Sequence, residues 1–206
     1  MQGKRMVCPA CGGTRGETSR GGVMHECGAC RGWGVVPPPG QRASAIRSGM
    51  KILVIGHAEH GKDTAAQCLG RELGVEFISS SEFCAARAVY PLVSDLYPDW
   101  RACFEDRRNH RAMWRHAIEA YNLRPGPSLA EQVLALAPIY VGMRSRAEFD
   151  RSKSLFDVVI WVDASKRLPL EPFSSMDLTK HDADLIVDNN RGLSELTETI
   201  WGLVNT

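Results

Sequence analysis

The chain has 206 residues, 44% of them hydrophobic and 24% charged, and a formal net charge of +1; this suits one core of ordinary size plus a small appendage and excludes wholesale disorder. No run approaches the roughly 18 consecutive apolar residues of a spanning helix, and the N-terminus lacks the apolar stretch of a secretory signal, so a cytosolic protein with no membrane partner is expected. The small total hides an asymmetry: residues 1–49 carry Lys4, Arg5, Arg15, Arg20, Arg31, Arg42 and Arg47 against Glu17 and Glu26, a local +5 that suits either a polyanionic partner or a solvated basic segment.

In chain order, the first feature is Cys8-x-x-Cys11 followed, after fifteen residues, by Cys27-x-x-Cys30. Paired C-x-x-C spacing in a cytosolic context reads as a four-thiolate metal site, and four cysteine ligands leave no open position, so a structural rather than catalytic Zn²⁺ is expected. Residues 1–36 form this glycine-rich zinc module, and residues 37–49, opening with Pro37-Pro38-Pro39-Gly40, read as a linker. His25 is a possible competing ligand. The remaining cysteines, Cys68, Cys84 and Cys103, lie in apolar or helical contexts and are expected in the core.

Residues 50–206 alternate strand and helix patterns. KILVIGH (51–57) is a short apolar run ending in glycine, followed by the helical spacing of TAAQCLGRELG. VEFIS is a second strand. SEFCAARAVYPLVSDLY is a helix capped by Ser80 or Ser81 and kinked or ended by Pro91, and CFEDRRNHRAMWRHAIEAYN is predicted as one long helix. A short helix, SLAEQVLALA, leads into the strand IYVGM; the helix RAEFDRSKS, the strands DVVIWVDAS and LIVD, and a closing helix LSELTETIWGLV complete the pattern. The expected fold is an α/β three-layer sandwich with a five-stranded parallel sheet.

The stretch Gly56-His57-Ala58-Glu59-His60-Gly61-Lys62-Asp63-Thr64 fits G-x-x-x-x-G-K and sits between a buried strand and a helix N-terminus. In that context its backbone N–H groups can wrap a phosphate while the lysine bridges phosphate oxygens, so ATP is the expected ligand. Asp63 stands where Ser or Thr usually follows the lysine, so either Asp63 or Thr64 serves the Mg²⁺ shell. His57 and His60 read as loop-shaping or substrate-side residues, since hard Mg²⁺ prefers oxygen.

GHAEHGKDT, SSSEF, CFEDRRNHR, IYVGMRSRAEF, DVVIWVDAS and ADLIVDNN together resemble bacteriophage P-loop kinases related to deoxynucleoside monophosphate and thymidylate kinases. The closest resemblance is to the kinases that phosphorylate 5-hydroxymethyluracil within phage DNA. It implies a P-loop kinase fold over residues 50–206 in a protein of the host cytoplasm. It also implies that Lys62 and the loop amides hold ATP and that Arg144 and Arg146 lie at the carboxyl edge of the sheet. Arg167 belongs to a segment, Ser165–Thr179, in the place of a nucleotide-kinase lid, and Asn189-Asn190 resembles the adenine-side loop or serves as a capping turn. Transfer to an alcohol calls for a carboxylate to accept its proton, and Glu82 and Asp106 are the candidates. The basic head favours DNA containing 5-hydroxymethyluracil as acceptor, with Arg15, Arg20, Arg31 and Arg42 on the backbone and Trp33 stacking or covering the zinc. A free deoxynucleoside monophosphate acceptor and a non-catalytic P-loop binding protein are the alternatives. Cys27-Gly28-Ala29-Cys30-Arg31-Gly32-Trp33-Gly34 also resembles the half-sites of chaperone zinc centres.

Overall fold

A computed structural model describes residues 46–205, together with the backbone of four short strands that precede them: Met6–Val7 (β1), Gly16–Thr18 (β2), Met24–Glu26 (β3) and Val35–Val36 (β4). Those four strands belong to a compact unit of residues 1–45, in which β1 pairs antiparallel with β4 and β2 with β3. Cys8, Cys11, Cys27 and Cys30 lie outside the described residues, as do Arg15, Arg20, Arg31, Trp33 and Arg42.

The second compact unit begins at Ile46. Ile46 is buried and its N–H donates to Leu203 O at 3.0 Å, so the chain is anchored to this unit four residues before Met50. The sheet runs β6 (Phe77–Ser79), β7 (Ile139–Val141), β5 (Ile52–Ile55), β8 (Val158–Asp163), β9 (Leu185–Asp188), with all neighbours parallel. The five expected strands are therefore present. Every residue of β5 is buried, as a central strand covered on both faces requires.

Alternation along the strands divides the core into two faces. Ile52, Val54, Ile139, Val141, Ile160 and Val162 pack against Ala65 and Leu69 of α1 (Lys62–Leu73) and Leu196 and Ile200 of α7 (Leu193–Val204). Leu53, Ile55, Tyr140, Val159 and Trp161 face Ala130 and Val133 of α5 (Leu129–Leu134) and Phe149 of α6 (Arg146–Ser152). Helix, sheet and helix form the three layers. Cys68, Cys84 and Cys103 are all buried, as expected.

Two helical expectations need correction. After β6 the chain forms only a short α2 (Ser80–Cys84), with Ser79 at the N-cap position but no side-chain capping bond, then a π-helical turn at Ala85–Val89 and a 3₁₀ turn at Tyr90–Leu92. Pro91, which has no N–H to donate, stands at the end of this run. The predicted long helix is two helices, α3 (Trp100–Glu105) and α4 (Arg111–Leu123), separated by a 3₁₀ turn at Asp106–Arg108. The Asp106 carboxylate accepts Asn109 Nδ2 at 2.6 Å and Tyr97 OH at 2.6 Å, and local polar contacts of this kind compete with continuous helix. Cys84, Ala88, Val89, Cys103, Trp114 and Leu129 form a separate small core for this helical region.

Candidate active site

The strand order reverses direction at β5, between β7 and β8, so the crevice at the carboxyl ends of these strands is the natural ligand position. Gly56–Gly61 turns there from β5 into α1. Gly56 has φ +146°, and a Cβ on it would come within 2.6 Å of Val162 O. Gly61 has φ +90°, and a Cβ there would collide with the Asn189 amide. Both positions therefore require glycine. Glu59 (φ 64°) also adopts a left-handed conformation, as does Met143 (φ 74°), immediately before Arg144. Unfavourable backbone is thus concentrated at the loop and at the residue that aims Arg144.

The histidines hold the loop in place. His60 Nδ1 accepts Ala164 N–H at 3.1 Å, so its proton resides on Nε2, which donates to Pro169 O at 3.3 Å. His57 Nδ1 accepts Glu171 N–H at 3.1 Å, and its ring packs edge-on to Trp161. Burial lowers the pKa of both rings, with neighbouring cationic groups adding to the effect, so both remain neutral at pH 7.

Lys62 Nζ donates to His57 O at 2.6 Å. Burial first, and then the charge of Arg144, lower its pKa from 10.5 to about 8. Helix α1 has no side-chain cap, which leaves its first amides free of a side-chain acceptor at the head of the loop. Asp63 is exposed and Thr64 partly buried in the first turn.

Arg144 and Arg111 both bond the carboxylate of Glu171, and Ala58 N–H donates to its Oε2 at 2.6 Å. Arg108 pairs with Glu59 at 2.9 Å, and Arg107 Nη1 donates to Phe104 O at 2.9 Å. The loop, Arg108, Arg111 and Arg144 are thus brought to one locality. Glu82 is exposed in the first turn of α2.

Other expected site residues are already engaged elsewhere. Arg146 forms a two-pronged pair with Asp182, at 2.8 and 2.7 Å, which makes it a brace for the 177–182 segment rather than a free ligand-binding group. Asp106 accepts Tyr97 and Asn109 and lies 3.0 Å from His110 Nε2. Arg167 Nε donates to Asn189 O at 2.7 Å, while Asn190 accepts Lys166 N–H at 2.7 Å and bonds Asp188 at 2.6 Å. Together they tie the ends of β8 and β9. Among the described residues, no group of three or more His, Cys, Asp or Glu side chains is arranged to hold a metal ion, and no helix is long and apolar enough to cross a membrane.

No family model matches the chain, and no curated protein matches it. Among solved structures it is similar to shikimate kinase from Aquifex aeolicus, at 18% identity over 73% of this chain and 93% of that one, with a TM-score of 0.42. It is also similar to a gluconokinase from Sinorhizobium meliloti, at 15% identity over 77% and 93% of the two chains, with a TM-score of 0.42. A shikimate kinase from Bacteroides thetaiotaomicron matches at 12% identity over 75% and 95%, with a TM-score of 0.38.

Proposed function

We propose that the chain is an ATP-dependent phosphotransferase whose acceptor is the 5-hydroxymethyl group of 5-hydroxymethyluracil in DNA. The observation that carries the transferase reading is the glycine-lined bend from β5 to α1, with Lys62 and Arg144 beside it. These residues fit a triphosphate: two glycines clear the cradle, helix amides face it, and the lysine spends its hydrogen bond on His57 O, a contact that a phosphate oxygen can replace. Asp63 or Thr64 would hold Mg²⁺, which when bound neutralises charge between the phosphate oxygens.

In this reading the acceptor oxygen bonds to the γ-phosphorus as the bond to ADP breaks, and the hydroxyl proton passes to a carboxylate. Glu82 is the better acceptor of that proton. Hydrogen bonds from Tyr97 and then Asn109 lower the Asp106 pKa and occupy both its oxygens, so it is a poor base in a structural role. Lys62 and Arg144 neutralise the transferring group, and Arg167 and Asn190 border the nucleotide.

A DNA acceptor would suit Arg108 and Arg111, which pair with Glu59 of the loop and with Glu171, and the basic residues 1–49, where Cys8, Cys11, Cys27 and Cys30 would hold a structural zinc. The test is transfer of label from ATP to hydroxymethyluracil DNA, ordinary DNA and free deoxynucleoside monophosphates. Label confined to the hydroxymethyluracil DNA is expected. Label confined to monophosphates would replace this acceptor with a free nucleotide, and nucleotide binding without any transfer would make the chain a binding protein.

A further inference from the structure

The carboxylate of Glu171 sits in a seat built for an anion. Its Oε2 accepts Ala58 N–H at 2.6 Å, and its Oε1 accepts Arg111 Nη1 at 3.3 Å and Arg144 Nη1. The side chain is only 9% exposed. One backbone amide of the phosphate loop and two guanidinium groups, from α4 and from the end of β7, thus converge on a single pair of oxygens. Each of these donors is of the kind that recognises a phosphate oxygen equally well.

Two features make the carboxylate exchangeable while its segment stays in place. The backbone around it has its own anchors: Glu171 N–H on His57, Pro169 O on His60, Ser174 O on Arg115 at 2.6 Å, and the buried side chains of Met176 and Leu178. The two arginines are 56% and 44% exposed, so a ligand approaching from solvent can reach them. Burial pushes the Glu171 carboxyl upward, but Arg144, Ala58 N–H and Lys62 outweigh it and hold the pKa below the usual range, so the group is an anion at neutral pH.

We infer that Ala58 N–H, Arg111 and Arg144 form an oxyanion subsite for a phosphate-type group, and that Glu171 is its built-in surrogate, displaced when that ligand arrives. The inference rests on the phosphotransferase reading only for the ligand's two sources, the terminal phosphoryl of the donor or a phosphate of the acceptor strand. Arg111 then belongs to the binding machinery rather than to a solvated helix face. With the surrogate in place, Lys62, Arg111 and Arg144 do not face one another uncompensated, and a weakly bound anion must compete with a tethered carboxylate.

Calorimetry of inorganic phosphate binding to the full chain tests this. Glu171→Gln keeps the shape and removes the charge; it should bind phosphate about tenfold or more tightly than the wild type, and adding Arg111→Ala should abolish the gain. Equal or weaker binding by Glu171→Gln would overturn the inference, and Glu171→Ala is read in the same way if the glutamine variant fails to fold. The source follows from two further titrations. A gain for a non-hydrolysable triphosphate but not for ADP assigns the seat to the donor, a gain for a DNA oligonucleotide added with ADP assigns it to the acceptor, and a gain for neither overturns the subsite. A phosphate gain with no label transfer to any acceptor would uphold the subsite and refute the phosphotransferase reading.

Discussion

At Lys62 two demands oppose each other: burial and the neighbouring Arg144 disfavour the ammonium, while the function requires it. The folded pKa is about 8 against an ordinary 10.5, so the unfolded chain binds more protons between those values and this residue's penalty on stability is relieved as pH rises through them. A polyphosphate placed against Nζ favours the charged form, so nucleotide binding should draw in a proton above pH 8 and weaken as pH rises further, by up to about tenfold per unit. Calorimetry at pH 9 in two buffers of different ionisation enthalpy measures that uptake; identical heats in both would show that Lys62 does not meet the phosphates. The loop residues themselves were legible, because glycines, lysine and strand-to-helix context coincide in nine consecutive residues. Glu171 was not, because its partner Ala58 lies 113 residues away and a single glutamate in a proline-rich stretch carries no local pattern. The pairing of Arg146 was not legible for the same reason, since its partner Asp182 is 36 residues distant.

The elements that sequence periodicity located best are those whose packing agrees with it. β5, β8 and α1 match their apolar patterns, and α5 carries the capping box of Ser128 and Glu131. The region from Ser80 to Leu123 deviates because its apolar spacing is helical throughout while its breaks are made by Pro91 and by the side chains of Asp99 and Asp106. Asp99 caps α3 through Arg101 N and Ala102 N, and Asp106 then ends it, with Tyr97, Asn109 and His110 gathered around one carboxylate. This separates the two carboxylates first considered together. Glu82→Gln should lower kcat for an alcohol acceptor by roughly a hundredfold or more with little change in melting temperature. Asp106→Asn should instead lower the melting temperature, with catalysis affected mainly through folding. Thermal melts beside kinetics for both variants check this, and a large kcat loss in Asp106→Asn with unchanged melting would reverse the assignment.

For the whole molecule, the 2-3-1-4-5 order of the core sheet (β6-β7-β5-β8-β9) brings the loop, Arg144 and the 165–179 segment to one edge. That arrangement follows from right-handed crossovers and was legible as a class, whereas the way the 165–179 segment folds onto the loop depends on the His57 and His60 contacts and was not. The unit of residues 1–45 is compact in its own right, and the cysteine spacing supplies its expected metal. The purified chain should carry about one zinc ion, and replacing Cys8 and Cys27 together with serine should remove it and weaken DNA binding while leaving ADP binding intact. Metal analysis beside both binding measurements decides, and unchanged DNA affinity in the variant would detach this unit from acceptor binding. The most direct measurement is transfer of labelled phosphate from ATP to hydroxymethyluracil DNA by wild type and by Lys62→Ala. A loss of roughly a hundredfold or more in the variant, with its fold intact, is the expected result; transfer at the wild-type rate would contradict the assignment of this loop as the site of phosphoryl transfer.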